Sequence, residues 1–146
     1  MEDIDKDKVL AQWQTCVEMA NEVSDRRDTT NNLFATLNLG IIATISIIWD
    51  VKTFLLAVAG IVICSFWIVF INNYKALNKA KFEVILKLEK ELPIKPFDDE
   101  WNFVKNNKKY IESTKLEKVF PVIFMILYII IISIVFIFEI LKIGGC

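Results

Sequence analysis

The sequence has no histidine, and its three cysteines are scattered along 146 residues. Cys16, Cys64 and Cys146 therefore form no set of zinc ligands, and no serine or cysteine has a histidine base for nucleophilic catalysis. The four glycines form no phosphate-binding loop. We expect a protein without catalytic residues, metal site or cofactor, and we expect it not to be an enzyme.

Charge is absent from three long apolar runs, which cover residues 33–49, 54–71 and 119–138. Their 17, 18 and 20 residues approach the roughly 20 that a helix needs to cross about 30 Å of hydrocarbon. A soluble chain of this length could not cover three such helices. The runs predict an all-α, polytopic membrane protein. Because no ionisable residue lies deep in them, an ion-coupled transporter subunit is the weakest functional hypothesis.

Lysine and arginine are distributed asymmetrically around these runs. Residues 1–32 carry four of them and residues 72–118 carry eleven lysines, whereas the link at 50–53 and the tail at 141–146 carry one each. The positive-inside rule places the first two segments in the cytoplasm and the other two outside. The acidic, polar N-terminus predicts no secretory signal peptide. The middle segment mixes lysines with carboxylates, which disfavours nucleic-acid binding.

The predicted organisation therefore has five parts. They are a cytoplasmic N-terminal helix at 1–32, a transmembrane hairpin at 33–71 with spans 33–49 and 54–71, a cytoplasmic helical segment at 72–118, a third transmembrane helix at 119–140 and a short external tail at 141–146.

Regular apolar spacing precedes the first run. Val9, Trp13, Cys16, Ala20 and Val23 are separated by 4, 3, 4 and 3 residues, which is typical of the seam of a coiled coil or bundle helix. No proline interrupts this pattern, so we predict one helix over Lys8–Trp49 with fraying near 28–32. The second run likewise continues as a helix beyond residue 71, because residues 72–92 contain no proline or glycine before Pro93. Two such helices form a hairpin that extends from the membrane into the cytoplasm, within an oligomeric bundle.

The connection to the third span contains further helix signals. Pro93 and Pro96 end the second helix, and Asp98 or Asp99 can cap a short helix that runs to Lys105 and is broken at Asn106-Asn107. Ser113 or Thr114 can cap the third long helix, in which Pro121 is expected to introduce a slight kink.

A few polar residues could serve a function. Asn38, with Thr44 and Ser46, either forms interhelical hydrogen bonds or lines a pore. Arg26 and Arg27 either contact anionic lipid or pair with a carboxylate such as Glu89 or Glu91. Trp49, Trp67 and Tyr128 are interpreted as ordinary aromatic residues of spans and interfaces.

Three blocks of the sequence resemble one known family of membrane proteins. The blocks comprise Val17-Glu18-Met19-Ala20, Ser24, Arg26-Arg27, Asn32, Phe34 and Leu37-Asn38; then Leu77-Asn78, Lys81-Phe82, Val84-Ile85, Leu88-Glu89, Leu92-Pro93, Pro96-Phe97 and Glu100-Trp101; then Glu117, Pro121 and Tyr128. Over roughly residues 10–130 the chain resembles the bacterial small integral membrane proteins grouped as the RipA-like octameric family. The chain departs from the family pattern at Cys16, where an aromatic residue is expected before Glu18-Met19-Ala20, and at Leu33-Phe34, where two aromatic residues are expected.

The resemblance implies three spans, a homo-oligomer for which an octamer is one option, a location in the bacterial inner membrane and no enzymatic activity. We predict inner-interface or oligomer contacts at Trp13, Glu18, Arg26, Arg27, Asn78, Lys81, Glu89 and Trp101. The expected partners are the lipid bilayer, other copies of the chain and a cytoplasmic protein. Two functional hypotheses stay open: a channel or membrane-perturbing effector, and a structural scaffold whose cytoplasmic helices dock a partner.

Overall fold

The computed structural model describes residues 6–48, 52–106 and 110–144, with side chains up to residue 140. It contains α1 (Lys6–Ile47), α2 (Lys52–Glu89), α3 (Pro96–Asn106) and α4 (Ser113–Gly144), and the described residues contain no strand. Three of these helices, α1, α2 and α4, are long and apolar enough to cross a membrane. The predicted all-α fold with three candidate spans is confirmed.

The end of α2 and the start of α3, both close to a proline, differ from the predicted positions. α2 ends at Glu89, because Pro93 disfavours helical backbone before it, and the chain turns through hydrogen bonds from the Glu91 and Leu92 amides to the carbonyls of Leu88 and Glu89 (both 3.1 Å). α3 begins at Pro96, ahead of the two predicted caps. Proline suits the first helical position because that position needs no amide hydrogen. Asp98 and Asp99 consequently lie in the first turn, where negative charge is favourable.

The predicted first helix also differs in detail. α1 continues without a break through residues 28–32, where fraying was expected. Trp49 and Asn107, at two predicted helix ends, lie outside the described residues. α4 begins at Ser113, one of its two predicted caps, and contains Pro121.

The chain divides into two compact units, which we name by composition. The charged unit comprises Met1–Asp28 and Asn72–Glu112, and the membrane unit comprises Thr29–Ile71 and Ser113–Cys146. The charged unit holds 28 of the 35 charged residues, so its medium is water. The borders therefore fall after residues 28, 71 and 112, whereas the borders predicted from the sequence follow residues 32, 71 and 118.

The membrane unit is a packed arrangement of segments from α1, α2 and α4. Its core consists of Ile45, Ala57, Cys64 and Tyr128, surrounded by partly buried aliphatic and aromatic side chains. Phe34 stacks on Trp67 with ring centroids 5.8 Å apart and an interplanar angle of 10°. Most other large apolar side chains on these helices point outward, as expected where lipid replaces water.

The charged unit is built around the predicted seam of α1. Val9, Ala20 and Val23 are buried, and Trp13 and Cys16 are half-buried. The seam therefore packs inside the charged unit of one subunit. α3 contributes no fully buried residue. It contacts this core through the ring of Phe97, which lies 5.8 Å from the Trp13 ring and 5.6 Å from the Phe82 ring.

Candidate functional site

A buried polar cluster joins the three long helices of the membrane unit. Asn38 on α1 is fully buried, and its side-chain nitrogen donates to the Phe34 carbonyl at 2.8 Å. Its side-chain oxygen accepts from the Cys64 thiol on α2 at 3.2 Å and from the Tyr128 hydroxyl on α4 at 3.0 Å. One carboxamide thus bonds to both other helices, and such bonds matter in hydrocarbon because water is absent.

A second polar chain lies two helical turns earlier on α1. The Trp67 indole donates to the side-chain oxygen of Asn31 at 2.8 Å, and the Asn31 side-chain nitrogen donates to the Glu117 carboxylate at 3.1 Å. Asn31 and Asn38 are seven residues apart, so they lie on the same face of α1. The same three helices are therefore linked at two levels.

The position of Tyr128 depends on a glycine that the sequence reasoning missed. A Cβ atom at Gly60 would overlap the Tyr128 ring, so the backbone of α2 approaches the ring where no side chain intervenes. Tyr128 is fully buried, which corrects its interpretation as an ordinary span aromatic. A signal was present: Gly60, Cys64 and Trp67 follow one another on a single helical face.

The two hydroxyl residues grouped with Asn38 in the sequence lie elsewhere. Thr44 and Ser46 are exposed, and each donates to the carbonyl four residues earlier, at 2.9 Å. Their hydrogen bonds stay within α1, whereas Asn38 forms the interhelical bonds. Ser65 on α2 and Ser133 on α4 behave in the same way.

Glu89 has an internal role in the charged unit. Its side chain is 1% exposed, and its two carboxylate oxygens accept from the backbone amides of Phe97 and Asp98 at 3.0 and 3.1 Å. These amides belong to the first turn of α3, where donors have no partner within the helix. Glu89 was predicted to form an inner-interface or oligomer contact. Its carboxylate instead acts as the cap of α3 within the subunit.

Comparison with known protein families identifies the family of this chain. The sequence model of the octameric membrane protein family matches residues 10–138, which is most of the chain. The chain belongs to this family. No curated protein and no solved structure matches it.

Membership in the octameric membrane protein family makes the chain a homo-oligomeric membrane protein. The matched region includes most or all of each candidate span and the buried side chains of Asn38 and Glu89. Its finer RipA-like and bacterial assignment stays a prediction.

The other predicted contact residues of this octameric-family chain are dispersed over the charged unit. Arg26 lies 3.7 Å from Glu22, one turn earlier, with both side chains largely exposed. Glu18 and Trp101 are exposed, and Trp13, Arg27, Asn78 and Lys81 are half-buried.

Two buried polar atoms of the charged unit have no hydrogen-bond partner among the described residues. They are the Trp13 indole nitrogen and the Asn78 side-chain oxygen. Trp13 also lines an apolar groove with Leu10, Leu92, Pro93, Ile94 and Pro96. Among the described residues no group of three or more His, Cys, Asp or Glu side chains could hold a metal ion.

Proposed function

We propose that the protein is a non-enzymatic homo-octameric membrane scaffold. In this proposal the membrane unit holds eight copies in the bilayer, and the charged unit docks a protein partner. The lysine distribution supports a bacterial inner-membrane orientation with the N-terminus and residues 72–118 in the cytoplasm and the C-terminus outside.

The observation that carries this proposal is that polar side chains of the membrane unit are hydrogen-bonded within the subunit. Asn38, the most polar side chain of the first apolar run, is fully buried and bonded to Cys64 and Tyr128. The hydroxyls of Thr44 and Ser46 are bonded to their own helix. These groups need no water and no ion to satisfy them, which favours a closed or lipid-filled assembly over a hydrated pore.

A channel is the second candidate, and one observation favours it. Thr36, Gly40 and Thr44 are exposed and lie four residues apart, so they share one face of α1. A Cβ at Gly40 would meet no atom within 4 Å, which indicates open space on this face. In a ring, such a face could border water.

Ion flux separates the two candidates. The full-length protein is reconstituted into liposomes, and fluorescence reports potassium and chloride release. We expect no release above that of empty vesicles, from the wild type and from Thr44→Val, which keeps the side-chain shape and removes the hydroxyl.

Release by the wild type that Thr44→Val changes at least tenfold would overturn the scaffold proposal in favour of the channel. The matched control is Ser133→Ala, which removes an exposed hydroxyl from α4. A change of flux in this control as well would assign the release to a general disturbance of the bilayer.

A further inference from the structure

The apolar groove of the charged unit is the starting point for a further inference. Its volume is about 440 Å³. Its wall is made by Lys6, Asp7, Leu10 and Trp13 of α1, by Leu92, Pro93 and Ile94 of the turn after α2, and by Pro96 at the start of α3. Lipid does not cover a groove in this unit, because the charged unit belongs in water. An apolar concavity of this size in water is typical of a binding surface.

Trp13 adds an independent sign that the groove wall is incomplete. Its indole nitrogen is buried and has no acceptor in the part of the chain that the structure describes. Buried donors are nearly always paired in native proteins, so an isolated one calls for an explanation. Because this nitrogen is buried, a carbonyl oxygen of an entering chain would reach it only if the Trp13 ring shifts on binding.

The charged unit also carries an apolar projection. Phe103 on α3 is 77% exposed. At about 100° per residue it lies about 120° around the helix from Phe97, whose ring faces Trp13 and Phe82. Phe103 therefore points away from the packed face of α3. Such exposure of a phenylalanine in water is unfavourable unless a partner covers it.

A ring of identical subunits needs two different patches on each subunit. In a cyclic assembly the contact is head-to-tail, so one patch of a subunit meets another patch of its neighbour. The groove and Phe103 are an apolar concavity and an apolar projection in one unit. Lys6 and Asp7, which line the groove, carry opposite charges, and of these two only Lys6 would be complementary to Asp99, one turn before Phe103.

We propose that the groove of each subunit binds the Phe103 side of α3 from the neighbouring subunit. This inference rests on the octameric assembly in the proposed function. It adds which surfaces meet and predicts that they meet head-to-tail.

Cysteine crosslinking between two differently tagged chains tests this contact. In full-length protein with all three native cysteines changed to serine, one chain carries Leu10→Cys and the other carries Phe103→Cys. The two are co-expressed and oxidised in the membrane. We expect a disulfide-linked dimer that carries both tags, with a yield at least tenfold above that of either single variant expressed alone.

The particle mass, measured in detergent, separates this inference from the octamer itself. An intact octamer without the mixed-tag dimer would overturn the head-to-tail contact and leave the assembly standing. A monomeric wild type would overturn both. Crosslinks of Leu10→Cys chains to each other would replace the head-to-tail contact by a symmetric one.

A pair of matched phenylalanine variants gives a second measurement. Phe103→Ala should weaken association about tenfold at each contact, because burying a phenyl ring contributes at least that factor. Phe136→Ala, on the 66% exposed Phe136 of α4 in the membrane unit, is the control and should leave the octamer intact. Equal particle mass for Phe103→Ala and the wild type, over a hundredfold dilution, would contradict the proposal.

Discussion

The two units of this protein expose similar side chains to different media. Phe103 in the charged unit and Phe136 in the membrane unit are both more than half exposed. Lipid tails surround the second at little free-energy difference, whereas water surrounds the first unless another chain covers it. An exposed apolar residue therefore indicates a binding surface only where water is the medium.

The two units also differ in how they use a buried polar group. In the membrane unit a neutral carboxamide, Asn38, joins three helices that a second polar chain through Asn31 also links. In the charged unit a carboxylate, Glu89, caps a short helix that has no buried residue of its own. We infer that close packing provides most of the stability of the membrane unit. In the charged unit, local polar contacts fix the position of α3. The following predictions test this difference, from the largest effect to the smallest.

Gly60→Ala should give the largest loss of stability. The added methyl group would overlap the Tyr128 ring, and overpacking of this kind costs about 3 kcal/mol. The measurement is SDS-induced unfolding in detergent micelles, followed by circular dichroism. Gly40→Ala is the matched control in the same unit, because a Cβ there has no neighbour within 4 Å. Equal stability of both variants would contradict the inference that close packing provides most of the stability of the membrane unit.

Glu89→Ala should release α3 and leave the membrane unit intact. Loss of both hydrogen bonds to the first turn of α3 should cost about 2 kcal/mol locally. We therefore expect hydrogen exchange at the Phe97 and Asp98 amides to accelerate about 30-fold. Glu89→Gln, which keeps one acceptor oxygen, should show a smaller acceleration. Unchanged exchange in Glu89→Ala would mean that the aromatic contacts of Phe97 suffice to position α3.

Asn38→Ala should have a moderate effect of about 1 kcal/mol, since hydrogen bonds between helices in membranes average no more than this. The Tyr128 hydroxyl keeps a second acceptor, the Asn38 main-chain carbonyl at 3.3 Å, which limits the loss. The measurement is the SDS unfolding described for Gly60→Ala. A loss larger than that of Gly60→Ala would reverse the order of packing and polar contact in the membrane unit.

Lys75→Met should have the smallest effect. Lys75 forms an ion pair with Glu112 in the charged unit, and both side chains are more than a third exposed. Pairs in water contribute about 0.5 kcal/mol and weaken with salt. We expect a thermal midpoint within about 2 °C of the wild type at high salt, measured by differential scanning fluorimetry. A larger shift that salt does not reduce would show that this pair is shielded from water.

Periodicity and length predicted the helices, because the apolar runs and the seam are local patterns. Pro93 likewise predicted an end of α2, which came three residues earlier than expected, at Glu89. The polar cluster could be predicted only in part. Asn38 stood out as a carboxamide in an apolar run, but its partners Cys64 and Tyr128 lie 26 and 90 residues away.

Residue type alone did not predict which way some groups face. Glu89 was predicted to form an inner-interface or oligomer contact, and only the fold brings the first turn of α3 to it. Thr44 and Ser46 were grouped with Asn38 by their polarity, although helical geometry places Asn38 inward and these two outward. Long-range pairing and the direction of a helical face need the third dimension.

The spacing of the Asn38 partners has a consequence for biosynthesis. Cys64 leaves the ribosome 26 residues after Asn38, whereas Tyr128 leaves it 64 residues after Cys64. At about 5–20 residues per second, the first two spans exist for about 3–13 s before the third is made. During this interval the Asn38 oxygen has the thiol as its partner and lacks the phenol. The newly inserted hairpin is therefore an intermediate in which the Asn38 side-chain oxygen can accept one more hydrogen bond. The Tyr128 hydroxyl donates this bond once α4 has inserted.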